Sequence, residues 1–200
     1  MAGVIRPLHR TVGLVMLLPF LAWAATGLFF FIKPGYSDAY ASLSVKTYPI
    51  DRAVTIVPPP GWREFRVVKT ILGDHVLART DRGWAQFDPQ TMQPRPEPAE
   101  SDLRRLLLDA FSANPARYGS VVEVNRLVAT TDTGVHVTID WGRLSLSQRG
   151  RDTDRIDGIY KIHYLQWTGV EWLDRILGGL GLALIVVLSV AGVRLFFKRA

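Results

Sequence analysis

The sequence predicts an α+β fold in which two transmembrane helices flank an extracytoplasmic domain built from antiparallel sheet and a packed helix. Three observations lead there. Thr11 to Ile32 and Ile176 to Val193 are two runs without a charged residue, and the long segment between them changes to short strand-like runs around one helix-like stretch. At ~1.5 Å rise per residue the first run covers ~33 Å as a helix, enough for a hydrocarbon core of ~30 Å. The second is extended by Leu195, Phe196 and Phe197 past Arg194, whose long stem reaches the interface.

Charge supports the same division. The chain carries 24 Lys and Arg against 18 Asp and Glu, a net +6. Every acid lies between Asp38 and Asp174, where basic residues nearly balance them, so the excess belongs to Arg6, Arg10, Arg194, Lys198 and Arg199 at the two ends. A nucleic-acid partner is therefore not expected, because the folded domain has no basic surplus to meet phosphates. Basic ends on membrane helices instead mark the cytoplasmic side. The expected organisation is a cytoplasmic N-terminus at 1–10, a first span at 11–33, a periplasmic domain at 34–167, a second span at 168–197 and a cytoplasmic C-terminus at 198–200. Cysteine is absent, which excludes disulfides, thiolate catalysis and Cys-based metal sites.

Each element has its own signal. Ala22-Trp23-Ala24 looks like a signal-peptidase site, but the apolar run continues through Leu28–Ile32, so an uncleaved anchor is expected. Pro7 suits a first helical turn, Pro19 predicts a kink and Pro34 a stop. Residues 37–61 read as irregular, closed by Pro58-Pro59-Pro60. Phe65–Leu72, His75–Thr80 and Trp84–Phe87, separated by Gly73-Asp74 and Asp81-Arg82-Gly83, predict a β-meander. Leu103, Leu106, Leu107, Ala110 and Phe111 have helical spacing within Ser101–Ala113. Three further strands are expected at Val121–Ala129, Val135–Asp140 and Leu144–Ser147, the second alternating apolar and polar residues. Arg149–Gly158 reads as a charged linker and Ile159–Gln166 as a short interfacial helix.

At the start of the second span, Thr168-Gly169-Val170-Glu171 fits a capping box with Thr168 as N-cap. Trp167 and Trp172 then occupy hydrophobic-staple positions and suit a membrane interface. Gly179 and Ala183 form a small-xxx-small pair for contact with the first helix or with a second copy in a homodimer.

No catalytic motif stands out, and enzymatic activity is not expected. His75 falls in a hairpin turn and is expected to be exposed; His136 lies on the wet face of a strand. His9 and His163 flank the two spans. Tyr160, His163, Tyr164 and Trp167 share one helix face, which reads either as an interfacial aromatic belt without a cofactor or, for His163 and His9, as axial ligation of a b-type haem. The two histidines belong to opposite membrane faces, so one chain cannot clamp one haem between them.

Leu8-His9-Arg10-x-x-Gly13-Leu14, Thr26-Gly27, His163 and Gly192-x-Arg194 resemble motifs of the PepSY-associated transmembrane family. Phe87-Asp88-Pro89-Gln90 and the helix-plus-strands stretch from Ser101 to Ser147 are similar to PepSY modules. The resemblance implies a bacterial inner-membrane protein. Larger relatives have four or more spans, and some are haem-containing ferric-siderophore reductases; their soluble modules bind or restrain partner proteins, including peptidases. For this two-span chain the resemblance implies an accessory protein in contact with the bilayer and a protein partner. The alternative it implies is a haem-dependent electron carrier for siderophore or metal reduction.

Overall fold

The structure, a computed structural model, describes residues 2–197 and divides into two units. Lys198 and Arg199, the two basic residues expected after the second span, lie outside the described residues.

The helical unit, residues 1–35 and 154–200, is built on α1 (Ala2–Ile32) and α6 (Glu171–Phe197). Their most apolar windows have mean hydropathies of 2.2 and 2.6, and most of their side chains face outward, as expected of helices solvated by lipid. Helix α1 starts well before Thr11 and runs without interruption through Pro7 and Pro19, so Pro7 is not at its first turn. Helices α1 and α6 pack in antiparallel register, with glycines at the contact. A methyl group on Gly13 would sit 3.6 Å from Leu188 Cδ1, and one on Gly192 would sit 3.4 Å from His9 Cε1. Met16 and Ala191 are buried in this unit. Gly179 and Ala183 are not part of the seam: a methyl group on Gly179 would touch nothing, and both residues are exposed. The expected contact of that pair with the first helix is therefore corrected: the α6 glycine that meets α1 is Gly192, beside His9.

The globular unit, residues 36–153, opens with α2 (Tyr36–Ala39) and an extended segment whose Leu43 and Val45 enter the core. Strands β1 (Glu64–Thr70), β2 (Gly73–Thr80) and β3 (Gly83–Phe87) form an antiparallel meander in that order. The first turn is Ile71-Leu72, two residues earlier than expected, so Val68 pairs with His75 and His75 becomes strand interior. Helix α3 (Glu100–Phe111) buries its five predicted apolar residues, and α4 (Pro115–Tyr118) follows with Asn114 accepting from Arg117 N.

The second sheet has four antiparallel strands in chain order: β4 (Val121–Asn125), β5 (Val128–Thr131), β6 (His136–Asp140) and β7 (Ser145–Arg149). The expected single strand Val121–Ala129 is two, split by Arg126 in the left-handed region at φ 53°. In β6 the predicted alternation holds, with Val137 and Ile139 buried between exposed His136, Thr138 and Asp140. One cluster joins Leu77, α3, Tyr118, Val137, Ile139 and Trp141 into a single core.

The stretch read as a charged linker folds as α5 (Arg151–His163). Its charges are arranged for a helix. Thr153 Oγ1 accepts from Gly150 N–H at 3.2 Å, half of a capping box, and Asp152 and Asp154 sit in the first turn with Lys161 and His163 in the last. A linker and a dipole-matched helix have the same composition; the order of signs separates them.

Candidate functional site

Trp23, Thr26, Phe30 and Tyr164 gather around His163, the last residue of α5. Its Nδ1 lies 2.9 Å from Thr26 Oγ1, and Thr26 Oγ1 is 2.8 Å from Ala22 O, the back-bond that a helical threonine makes to its own preceding turn. A hydroxyl has one proton. With that proton on Ala22 O, Thr26 accepts from Nδ1–H. The ring stacks on Trp23 at 5.7 Å and meets Phe30 and Tyr164 edge-on at 5.0 and 5.5 Å, while Tyr160 stacks on Tyr164. Gly27 lies beside the imidazole, where a methyl group would meet His163 Cε1 at 3.9 Å, an ordinary contact.

The expected helix face is brought together at Tyr160, His163 and Tyr164. Trp167 lies past the helix end, where its Nε1–H donates to Ile162 O at 2.9 Å. The expected capping box at Thr168 is corrected too. Gly169 has φ +74°, which a helix cannot contain, so α6 begins at Glu171. Thr168 Oγ1 accepts from Val170 N–H and donates to Asp174 Oδ1 at 2.8 Å, and Asp174 also accepts from Thr168 N–H. Asp174 thus does the work assigned to Glu171, which pairs with exposed Arg175. With the start displaced, Trp167 and Trp172 do not occupy staple positions; Trp172 is exposed.

His9 is half-buried beside Gly192, and its Nδ1 is buried without a hydrogen-bond partner among the described residues. On α1 it stands 17 residues before Thr26, about 26 Å along the axis at ~1.5 Å per residue. The structure does not bring His9 and His163 together, so they do not fit one haem held within a single chain.

Two polar centres in the globular unit were not legible as sites. Arg117, its side chain 8% exposed, donates to Asp152 Oδ2 at 2.7 Å and Gln148 Oε1 at 2.6 Å. Gln148 Nε2 in turn donates to Ala39 O and Ala41 O, and Thr153 Oγ1 donates to Ala39 O. The Arg117 guanidinium holds the Asp152 carboxyl below the usual carboxylate range. This cluster ties the first residues of the unit to its last ones.

His75, expected on the surface, is fully buried. Its Nδ1–H donates to Gln86 Oε1 at 2.8 Å and Nε2 accepts from Thr70 Oγ1 at 2.8 Å, while Gln86 Nε2 donates to Trp141 O, linking the first sheet to the β6–β7 turn. Arg95 Nη1 lies 3.2 Å from Nδ1 and bonds Asp74 O. The signal available in the sequence was a His and a Gln among apolar residues of adjacent strands.

Burial pushes the His75 pKa down to about 4 from an ordinary 6.5. The folded protein keeps the ring neutral where an unfolded chain would protonate it. That contribution is complete above pH 6.5 and is lost as pH falls towards 4, on the order of 3 kcal/mol in total. Thermal unfolding in detergent at pH 7.5, 6, 5 and 4.5 is expected to show a steadily falling midpoint in wild type. The His75→Gln protein is expected to start lower and fall less; a parallel decline in both would exclude His75 as the source.

The family model described as the PepSY-associated TM region matches residues 3–199, essentially the whole chain. No curated protein and no solved structure matches. With two apolar helices flanking two antiparallel sheets and a packed helix, the chain is a membrane protein and belongs to the PepSY-associated TM family.

Proposed function

We propose that this protein is a non-catalytic accessory protein of the bacterial inner membrane, whose globular unit faces the periplasm and binds or restrains a partner protein. The observation that carries this reading is where the chemistry-bearing side chains of the globular unit are engaged. His75 is hydrogen-bonded on both ring nitrogens, and Arg117 is committed to Asp152 and Gln148. Groups so engaged hold a fold together; they are not poised to accept or deliver a proton to a substrate. Family membership supports a PepSY-like binding module on a membrane anchor. Arg6 and Arg10 before the first span, and Lys198 and Arg199 after the second, support cytoplasmic termini.

The second reading, a haem-dependent electron carrier, is favoured by one observation: His163 has Nδ1 oriented by Thr26, the arrangement by which outer hydrogen bonds orient ligating imidazoles. Because His9 lies at the far end of α1, a six-coordinate haem would need a ligand from outside the chain.

Alkaline phosphatase fused after Ala200 is expected to be inactive in cells; an active fusion would reverse the orientation. A photo-crosslinking residue at exposed Val122 on β4 is expected to give a discrete adduct with one protein in cells. The reduced-minus-oxidised spectrum of the purified protein is expected to lack a b-type signal. A stoichiometric signal lost in His163→Phe, without any adduct, would replace the accessory reading by the electron-carrier one.

A further inference from the structure

Proline chemistry dictates the shape of the run Val57-Pro58-Pro59-Pro60. A proline holds its own φ near −65°, and the residue before a proline is kept in the extended region. Val57, Pro58 and Pro59 each precede a proline. Pro59-Pro60-Gly61-Trp62 then closes as a type II turn: Trp62 N–H donates to Pro59 O at 3.4 Å, and Gly61 takes a φ of +94° at the third position. Pro60, second in that turn, keeps the same extended geometry. Val57–Pro60 is therefore one polyproline II segment, about 12 Å long at ~3.1 Å per residue.

The segment is held out to solvent. Val57 is 79% exposed, the three prolines are exposed, and the Val57 and Pro58 carbonyls accept from no backbone N–H among the described residues. Both flanks are nevertheless anchored to the first sheet. On one side Lys69 Nζ donates to Asp51 at 2.7 Å, and Arg52 donates twice to Asp74, whose side chain is 4% exposed. On the other, Trp62 packs on Phe87 and Phe65 at 4.7 and 6.0 Å, and Arg63 N–H donates to Arg79 O. A slack connector needs neither set of anchors. The second proline run, Pro94-Arg95-Pro96, differs: Arg95 N–H donates to Gln86 O and its guanidinium to Leu72 O and Asp74 O, so that run serves the fold. Charge adds a direction. Residues 53–62 are uncharged, whereas exposed Arg82, in the β2–β3 turn, has a guanidinium without a partner among the described residues; its neighbour Asp81 is taken by Arg63.

We propose that Val57–Pro60 is a docking segment for an aromatic-lined groove on a partner protein, a groove whose acidic rim meets Arg82. Tryptophan or tyrosine rings in that groove pack on Val57 and the prolines, and their N–H or O–H groups donate to the Val57 and Pro58 carbonyls. Because the segment is set before binding, little conformational freedom is lost when it docks. This surface rests on the accessory reading and gives it a place of contact.

A photo-crosslinking residue at exposed Thr55 of the full chain, in its native membrane, leaves Val57–Pro60 intact and tests this surface. The expected result is a discrete protein adduct whose crosslinked peptide, mapped by mass spectrometry, lies beside tryptophan or tyrosine residues of the partner. Pro58→Ala combined with Pro59→Ala frees the backbone and keeps the Pro60-Gly61 turn. It is expected to lower the adduct yield about tenfold while hydrogen exchange in β2 and β3 stays as in wild type. Val57→Ser is expected to do the same, Arg82→Glu to lower the yield about threefold, and Pro96→Ala, on the other proline run, to leave it intact. The proposal is overturned if the Thr55 adduct is with lipid or a second copy of this chain, if it maps away from aromatic residues, or if the Pro58 and Pro59 variant leaves its yield unchanged. An adduct from Val122 with none from Thr55 would overturn this surface and keep the accessory reading; no adduct from either position would overturn both.

Discussion

The contact of Arg117 with Asp152 and Gln148 is the interaction on which the globular unit depends, because it solves a problem set by the membrane. Two spans packed antiparallel leave and receive the intervening chain at the same end of the helical unit. Whatever folds between them must keep its first and last residues close together. Here the carbonyls of Ala39 and Ala41 accept from Gln148, Gln148 accepts from Arg117, and Arg117 holds Asp152 at the start of α5. One nearly buried guanidinium thus specifies which two segments meet. A paired buried charge is a modest source of net stability, but removing one partner leaves the other buried and unpaired, which is costly.

How far the sequence disclosed this structure follows the range of the forces involved. The spans, the α3 face and the β6 alternation were readable because each depends on a local period of apolar residues answering one environment. The shifted turn at Ile71-Leu72, the split at Arg126 and the helix at Arg151–His163 were not, since each depends on a choice between local conformations that distant packing decides. A shift in one turn took His75 out of the loop and into the strand interior, paired with Val68 and buried. For Thr168, a single positive-φ glycine displaced the helix start and handed the capping role from Glu171 to Asp174. Arg117 was invisible as a centre because Ala39, Gln148 and Asp152 are remote from it in sequence.

The four histidines show how little residue type alone decides. His136 is exposed on β6 beside Thr130; His75 is a buried connector between sheets; His9 fits against a glycine; His163 sits among Trp23, Phe30 and Tyr164.

The clasp at Arg117 is tested most directly by hydrogen exchange on the full chain in nanodiscs, comparing wild type with Arg117→Met. The account predicts that exchange rises together, by about tenfold or more, at Ala39–Ala41 and at Gly150–Thr153, while β2 and β3 keep their protection. Faster exchange at only one of those segments, or at neither, would contradict it.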